Sequence, residues 1–231
     1  MRNLVNLYVF SKIKWGVKSS MKKIIALVGD YYHEQSMCKQ ALNQATEQFD
    51  DLSLEYTDEN QFIGRLGENP DAVIIFKGNK LNPKDPHPDT WLNEEDAKKL
   101  AKYVEDGGAL FAWHSGIASY EVDAYVNLLK GKFTHHPPQK MIRYQTCPST
   151  NFFADEFEYT LYDEHYFIEC NEEEVDVFLR SYSEDGESIA GWTYHYGKGR
   201  VLCLTPSHNE EALLHDQTQF MIHSAIKKCI F

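Results

Sequence analysis

No run of about 18 consecutive apolar residues occurs in the chain, so no segment reads as a membrane-spanning helix. Basic residues are few beside acidic ones: 23 Lys and Arg against 35 Asp and Glu give a formal net charge of -12. No basic stripe stands out that could neutralise phosphates, which argues against nucleic acid as a partner. The five cysteines, Cys38, Cys147, Cys170, Cys203 and Cys229, include no CxxC pair. An odd, scattered set without a credible signal peptide predicts reduced thiols and a cytoplasmic protein, not a disulfide framework. Internal repeats and low-complexity segments are missing too.

What remains is an ordinary globular composition, 42% hydrophobic and 25% charged over 231 residues, enough for one domain with a large core. Residues 1–20 place Arg2, Lys12, Lys14 and Lys18 among apolar residues. The apolar stretch is short and no small-residue cleavage site follows it, so this segment reads as a poorly ordered leader or upstream extension. Met21, which opens the first convincing strand, is the expected natural start, and residues 21–231 form one domain.

The N-terminal half alternates strands and helices. Lys23–Val28, Leu52–Tyr56, Ala72–Phe76 and Ala109–Trp113 are short buried strands. Helices are expected over 33–49, 59–66, 93–106 and 117–129, with Asn93 as a cap and Gly107 as a stop. This order implies right-handed crossovers and a parallel sheet. The C-terminal half reads instead as extended segments at 141–146, 157–161, 175–182, 189–196 and 200–204, closed by a helix carrying Leu214, Met221, Ala225 and Cys229. The fold class is therefore α/β, with a mostly parallel central sheet and a β-rich C-terminal excursion.

The most informative stretch is Ala112-Trp113-His114-Ser115-Gly116, where a buried strand runs into a turn. Small residues two before and two after a central position permit a nucleophile elbow, and here its tip is His114. An imidazole there can act as a general acid/base or as a metal ligand; the bland alternative is a helix cap over a packed sheet. The register is wrong for Ser115 as the nucleophile, since Trp113 stands where a small residue is required. The tip is also expected at a helix N-terminus, where N–H groups favour developing negative charge.

Four motifs in order, YVEDGGALFAWHSG, GKFTHHP, YDEHY and GKGRVLCLTPSH, resemble the trehalose-utilisation (ThuA-like) family over roughly Lys22 to Ile230. The resemblance implies carbohydrate metabolism and the flavodoxin-like, three-layer fold of class I glutamine amidotransferases, with His114 where those enzymes keep a catalytic cysteine. It also carries over the segment Gly29 to His33, His136-Pro137, Asp163-Glu164 with Tyr166, Gly199-Arg200-Val201, and His208. The chain departs from the family in three places. Ser207 replaces a glycine, Cys147-Pro148 stands for a second His-Pro, and His165 occupies a place where apolar residues are common.

Loops after parallel strands gather at one sheet edge, so His33, His114, His136 and His208 are expected to converge, with Glu164 folded over them from the irregular half. His114 and Glu164 are the expected catalytic pair, Glu164 as base or orienter. His33, His136, His208, Tyr166 and Trp113 are the expected substrate-binding residues, and Trp192 is a further ring that could stack on a sugar. The same four histidines could hold a divalent metal such as zinc, although no H-x-H or H-x-x-x-H spacing enforces it. Asp30 could set a carboxylate beside the elbow or only cap the next helix. Tyr196 to Arg200 reads as a hairpin turn, not a phosphate cradle.

The leading functional expectation is an enzyme acting on a small-molecule carbohydrate without glutaminase activity. The alternatives are a non-catalytic binding module and a metal-dependent hydrolase. A homodimer through edge strands is also open.

Overall fold

Ile24 to Val28 run without a polar interruption, and in the computed structural model they form the inner part of strand β1 (Lys22–Val28), buried on both faces. The structure describes residues 20–148, 152–153 and 155–231; the expected leader lies almost entirely outside them. Strands β2 (Leu52–Thr57), β3 (Ala72–Phe76) and β4 (Ala109–Trp113) join β1 in the parallel order β2-β1-β3-β4, as in flavodoxin-like sheets. Strand β11 (Gly199–Leu204) continues the sheet parallel to β4.

Beyond β11 the direction alternates. Strands β10 (Gly186–Tyr196), β9 (Asp176–Ser183), β6 (Lys140–Thr146) and β7 (Glu158–Asp163) add in that order, each antiparallel to its neighbour, so that nine strands make one mixed sheet. The expected β-rich excursion is this antiparallel half. Two further strands, β5 (Gly131–His135) and β8 (Phe167–Cys170), pair with each other outside the main sheet. The sequence did not announce them, because neither is long nor alternates apolar with polar residues.

Helices cover both faces, giving three layers. On one side α1 (Gln35–Thr46), α5 (Glu210–Leu214) and α6 (Asp216–Ile230) pack Leu42, Leu213, Ile222 and Ile226 onto Ile24, Phe111 and Leu202. On the other, α2 (Glu59–Arg65), α3 (Glu94–Glu105) and α4 (Asp123–Leu129) bring Phe62, Leu100, Val104 and Leu128 against Ile25, Val73 and Leu110. The Asn93 carboxamide caps α3 as expected, accepting the Asp96 N–H at 3.0 Å.

Two expected helices begin later than their sequence pattern suggests. α1 starts at Gln35 because the Asp30 carboxylate takes the N–H groups of Tyr32 and His33, holding residues 30–33 in a turn. Asp30 is thus no cap of α1, whose N-cap residue Glu34 makes no side-chain cap bond. The expected helix over 117–129 is only α4; before it lie a single 3-10 turn, His114–Gly116, and a left-handed Ser119 with φ 60°. His114 therefore heads one tight turn rather than the N-terminus of a full helix.

Candidate functional site

The strand-to-turn junction after β4 has the strained geometry of an elbow. His114 sits at φ 47°, a region few residues other than glycine adopt. Gly116 is needed behind it, since any Cβ there would run into the Ile75 carbonyl oxygen of β3. The His114 side chain is wholly buried, and its Nδ1 lies 2.7 Å from the Thr205 carbonyl oxygen just after β11. A carbonyl can only accept, so Nδ1 carries the proton and Nε2 presents a lone pair. Tyr166 donates its hydroxyl to that nitrogen at 3.2 Å and stacks on the ring at 4.5 Å between centroids. Burial, with His33 close by, pushes the His114 pKa well below the usual imidazole value, so the ring is neutral at pH 7.

His33 follows β1 and is buried. Its Nδ1 donates to the Asp30 carboxylate at 2.7 Å, and its Nε2 meets Nδ1 of His208 at 2.9 Å. Asp30 also accepts the Gly78 N–H at 2.9 Å, tying the turn after β1 to the segment after β3. Burial works against the Asp30 charge, but the His33 hydrogen bond and the neighbouring ring outweigh it and hold the carboxyl far below its ordinary range. His208 follows β11. Its backbone N–H donates to Asp163 at 2.8 Å, and its ring faces Glu164 Oε1 at 3.3 Å.

Asp163 ends β7 and Glu164 follows it, carrying the antiparallel half over the sheet edge. Asp163 is fully buried and accepts from the backbone N–H groups of His208 and Glu164 and from the Tyr144 hydroxyl. Burial still pushes its carboxyl up to about 6. Glu164 behaves in the opposite way: burial would raise it, yet the His208 hydrogen bond and the surrounding imidazoles bring it down to about 2. On His208 burial is outweighed by the Glu164 hydrogen bond and charge, so its pKa is raised. Burial and nearby carboxylates lift the Tyr166 phenol well above its usual value, so it remains a donor.

His33, His136, Glu164, Tyr166 and His208 line a cavity of about 550 Å³, together with Tyr31, Tyr32 and Phe133. His114 lies just beneath, 3.7 Å from Glu164 Oε2. His136 stands at the side, half-exposed, with Nε2 3.8 Å from the same carboxylate. Among the described residues, the histidines that bring one ring nitrogen each within 4.8 Å of the others are His33, His114 and His208. His136 lies outside that group, so the expected set of four ligands narrows to three.

The two tryptophans lie elsewhere. Trp113 is fully buried in β4 with its indole N–H donated to the Pro206 carbonyl, and Trp192 is fully buried with its N–H on Leu129. Neither lines the cavity, because the side chains of a strand buried on both faces fill the core. His165 is likewise internal, held between the hydroxyls of Ser181 and Ser183. Asp30, read from sequence as a carboxylate beside the elbow or a cap, is the former: it shares the cavity lining with Ser115 of the elbow and also orients His33; its signal was a Gly-Asp pair directly after a buried strand.

The sequence model of the ThuA family, described as trehalose utilisation, matches residues 6–227. No curated protein sequence matches the chain. Among solved structures, a ThuA-like protein from Parabacteroides merdae superimposes with a TM-score of 0.68 at 12% identity, covering 90% of each chain. One from Bacteroides uniformis gives 0.67 at 15% identity over 93% of each. The β-galactosidase from Rahnella sp. R3 gives 0.63 at 10% identity, matching 92% of this chain but only 32% of its own length. At such identities these likenesses speak for the fold alone. The family match spans all but the outermost residues, and on that ground the chain belongs to the ThuA, or trehalose-utilisation, family.

Proposed function

We propose that this protein is an enzyme of carbohydrate metabolism that acts on a sugar or sugar derivative in the cavity, without glutaminase activity. One observation carries the reading: Glu164 lies 3.3 Å from His208 and 3.8 Å from His136 in the lining of a hollow whose volume lies inside the usual range of about 300–1,000 Å³ for small-molecule sites. A sugar offers hydroxyls that donate and accept and ring faces that are apolar. Glu164 is anionic at neutral pH and can take the hydrogen of a bound hydroxyl, while His208 and His136 flank it. The Tyr166 and Phe133 rings, 4.6 Å apart between centroids, supply flat apolar surface beside them. His114, one layer down, fixes the Tyr166 hydroxyl. Amide hydrolysis by a thiolate has no support: Cys38 and Cys203 are buried in the core, and no cysteine belongs to the cavity lining.

The test is turnover by the full chain on a panel of sugars and sugar derivatives, non-reducing disaccharides included, read by mass spectrometry. Product is expected with the native sequence, falling about 100-fold or more in Glu164→Gln, with circular dichroism unchanged. Binding without turnover in both proteins would replace the enzyme by a binding module. Ammonia released from glutamine and lost in His114→Ala would overturn the exclusion of glutaminase activity.

A further inference from the structure

We infer that His33, His114 and His208 form a binding site for one divalent transition-metal ion of the zinc type, with a fourth position open toward Glu164 and Tyr166. Their ligand atoms are set by what the other ring nitrogens do. Nδ1 of His33 is committed to Asp30 and Nδ1 of His114 to the Thr205 carbonyl, so each ring turns Nε2 inward. The third nitrogen is Nδ1 of His208, 2.9 Å from Nε2 of His33. All three lie within 4.8 Å of one another, whereas nitrogens about 2.0–2.1 Å from a tetrahedral zinc stand roughly 3.3 Å apart. Small ring rotations close that gap.

Two features go beyond proximity. A carboxylate on the far nitrogen of one ring and a carbonyl on that of another are what fix tautomer and orientation in metal-bound histidines. Two carboxylates, Asp30 and Glu164, also face these rings, and among the described residues neither has a lysine or arginine within ion-pair distance. A dication neutralises both. Without it, the His33–His208 contact needs a proton between two nitrogens, and the ion takes that proton's place. Three histidines with one open position is the ligand count of a catalytic zinc site, not of a closed structural one. The open position faces the carboxylate assigned above as base.

The experiment uses the full chain carrying no polyhistidine tag and purified without chelator. Metal is counted by mass spectrometry, then removed, and Zn2+ is titrated back by calorimetry, with Co2+ as a visible-absorption probe. One ion per chain is expected. His208→Ala is expected to abolish uptake, Asp30→Asn to weaken it about 10–100-fold, and His136→Ala to leave it as in the native chain. His208 and Asp30 are chosen because truncating the wholly buried His114 could unfold the protein. A native chain that takes up neither Zn2+ nor Co2+ stoichiometrically overturns the inference, as do His208→Ala and Asp30→Asn variants that bind like it. Uptake is read with no sugar present. A chain that binds zinc and turns over nothing therefore supports the site while sinking the sugar reading, and turnover without uptake does the reverse.

Discussion

The two halves of the nine-stranded sheet differ in how they are buried and in what they give the site. In β1, β3, β4 and β11 the inner residues of each strand are buried on both faces, and helices cover both sides. At the outer edge of the antiparallel half burial alternates, β7 running exposed, buried, exposed through Glu158, Tyr159 and Thr160, whereas β10 beside β11 is still buried from Ser188 to Tyr194. The parallel half contributes His33, His114 and His208 from the ends of β1, β4 and β11. The antiparallel half contributes Glu164 and Tyr166, just past the end of β7. Imidazoles are thus anchored in the rigid scaffold, and the carboxylate and phenol are laid over them by the part of the chain that crosses the sheet edge. A site split in this way fixes ligand-like groups through core packing, while the excursion shapes what enters above them.

The sharpest way to break this comparison is to make like changes in each half. Gly116→Ala drives a Cβ into the backbone of β3 and is expected to abolish soluble, folded protein. Gly186→Ala, at the β9–β10 turn, meets nothing closer than a ring carbon of Phe167 at 3.7 Å; only its φ of +132° objects. A loss of about 1–2 kcal/mol is expected there, measured by denaturant unfolding. Equal losses at the two glycines would erase the distinction. The next contrast is between side chains. Leu202→Ala in β11 empties a fully buried position and is expected to cost about 3 kcal/mol. Tyr162→Ala in β7, where the ring is 56% exposed, is expected to stay within about 0.5 kcal/mol.

The same division explains how far the sequence could be read. Strands buried on both faces appear as unbroken apolar runs, so Ala72–Phe76 and Ala109–Trp113 were legible to the residue. Strand, turn and histidine also came together legibly at His33, His114 and His208, because parallel topology sends such loops to one edge. Burial of Trp113 was not decidable, since a ring at the end of a strand can point to the core or to the edge. The roles of Asp30 and Asp163 depend on backbone N–H groups from distant turns, Gly78 and His208, and no local spacing encodes those partners. β5 and β8 escaped because two short strands paired only with each other leave no periodicity.

The smallest expected effect tests whether surface charge, and not burial, gives the parallel half its rigidity. Lys23 of β1, Glu55 of β2, Arg65 of α2 and Glu68 just beyond it form one ion-pair cluster, with Arg65 Nε 2.8 Å from Glu68 Oε1. Hydrogen bonds from Arg65 and then Lys23 bring the Glu68 carboxyl down to about 2. A carboxyl lowered in the folded state stabilises above its unfolded pKa, and that contribution is lost as pH falls through the folded value. The window here would be from about 4.3 down to about 2. Yet the group is open to solvent, where water and salt screen the pair and two long side chains must be held still to make it. Glu68→Gln is therefore expected to leave the melting temperature unchanged at pH 7, with no gap from the native chain opening or closing between pH 7 and pH 3. A clear drop at pH 7 that vanishes on acidification would mean that charge on the β1–β2 surface, and not the apolar filling beneath it, sets the stability of the half that anchors the histidines.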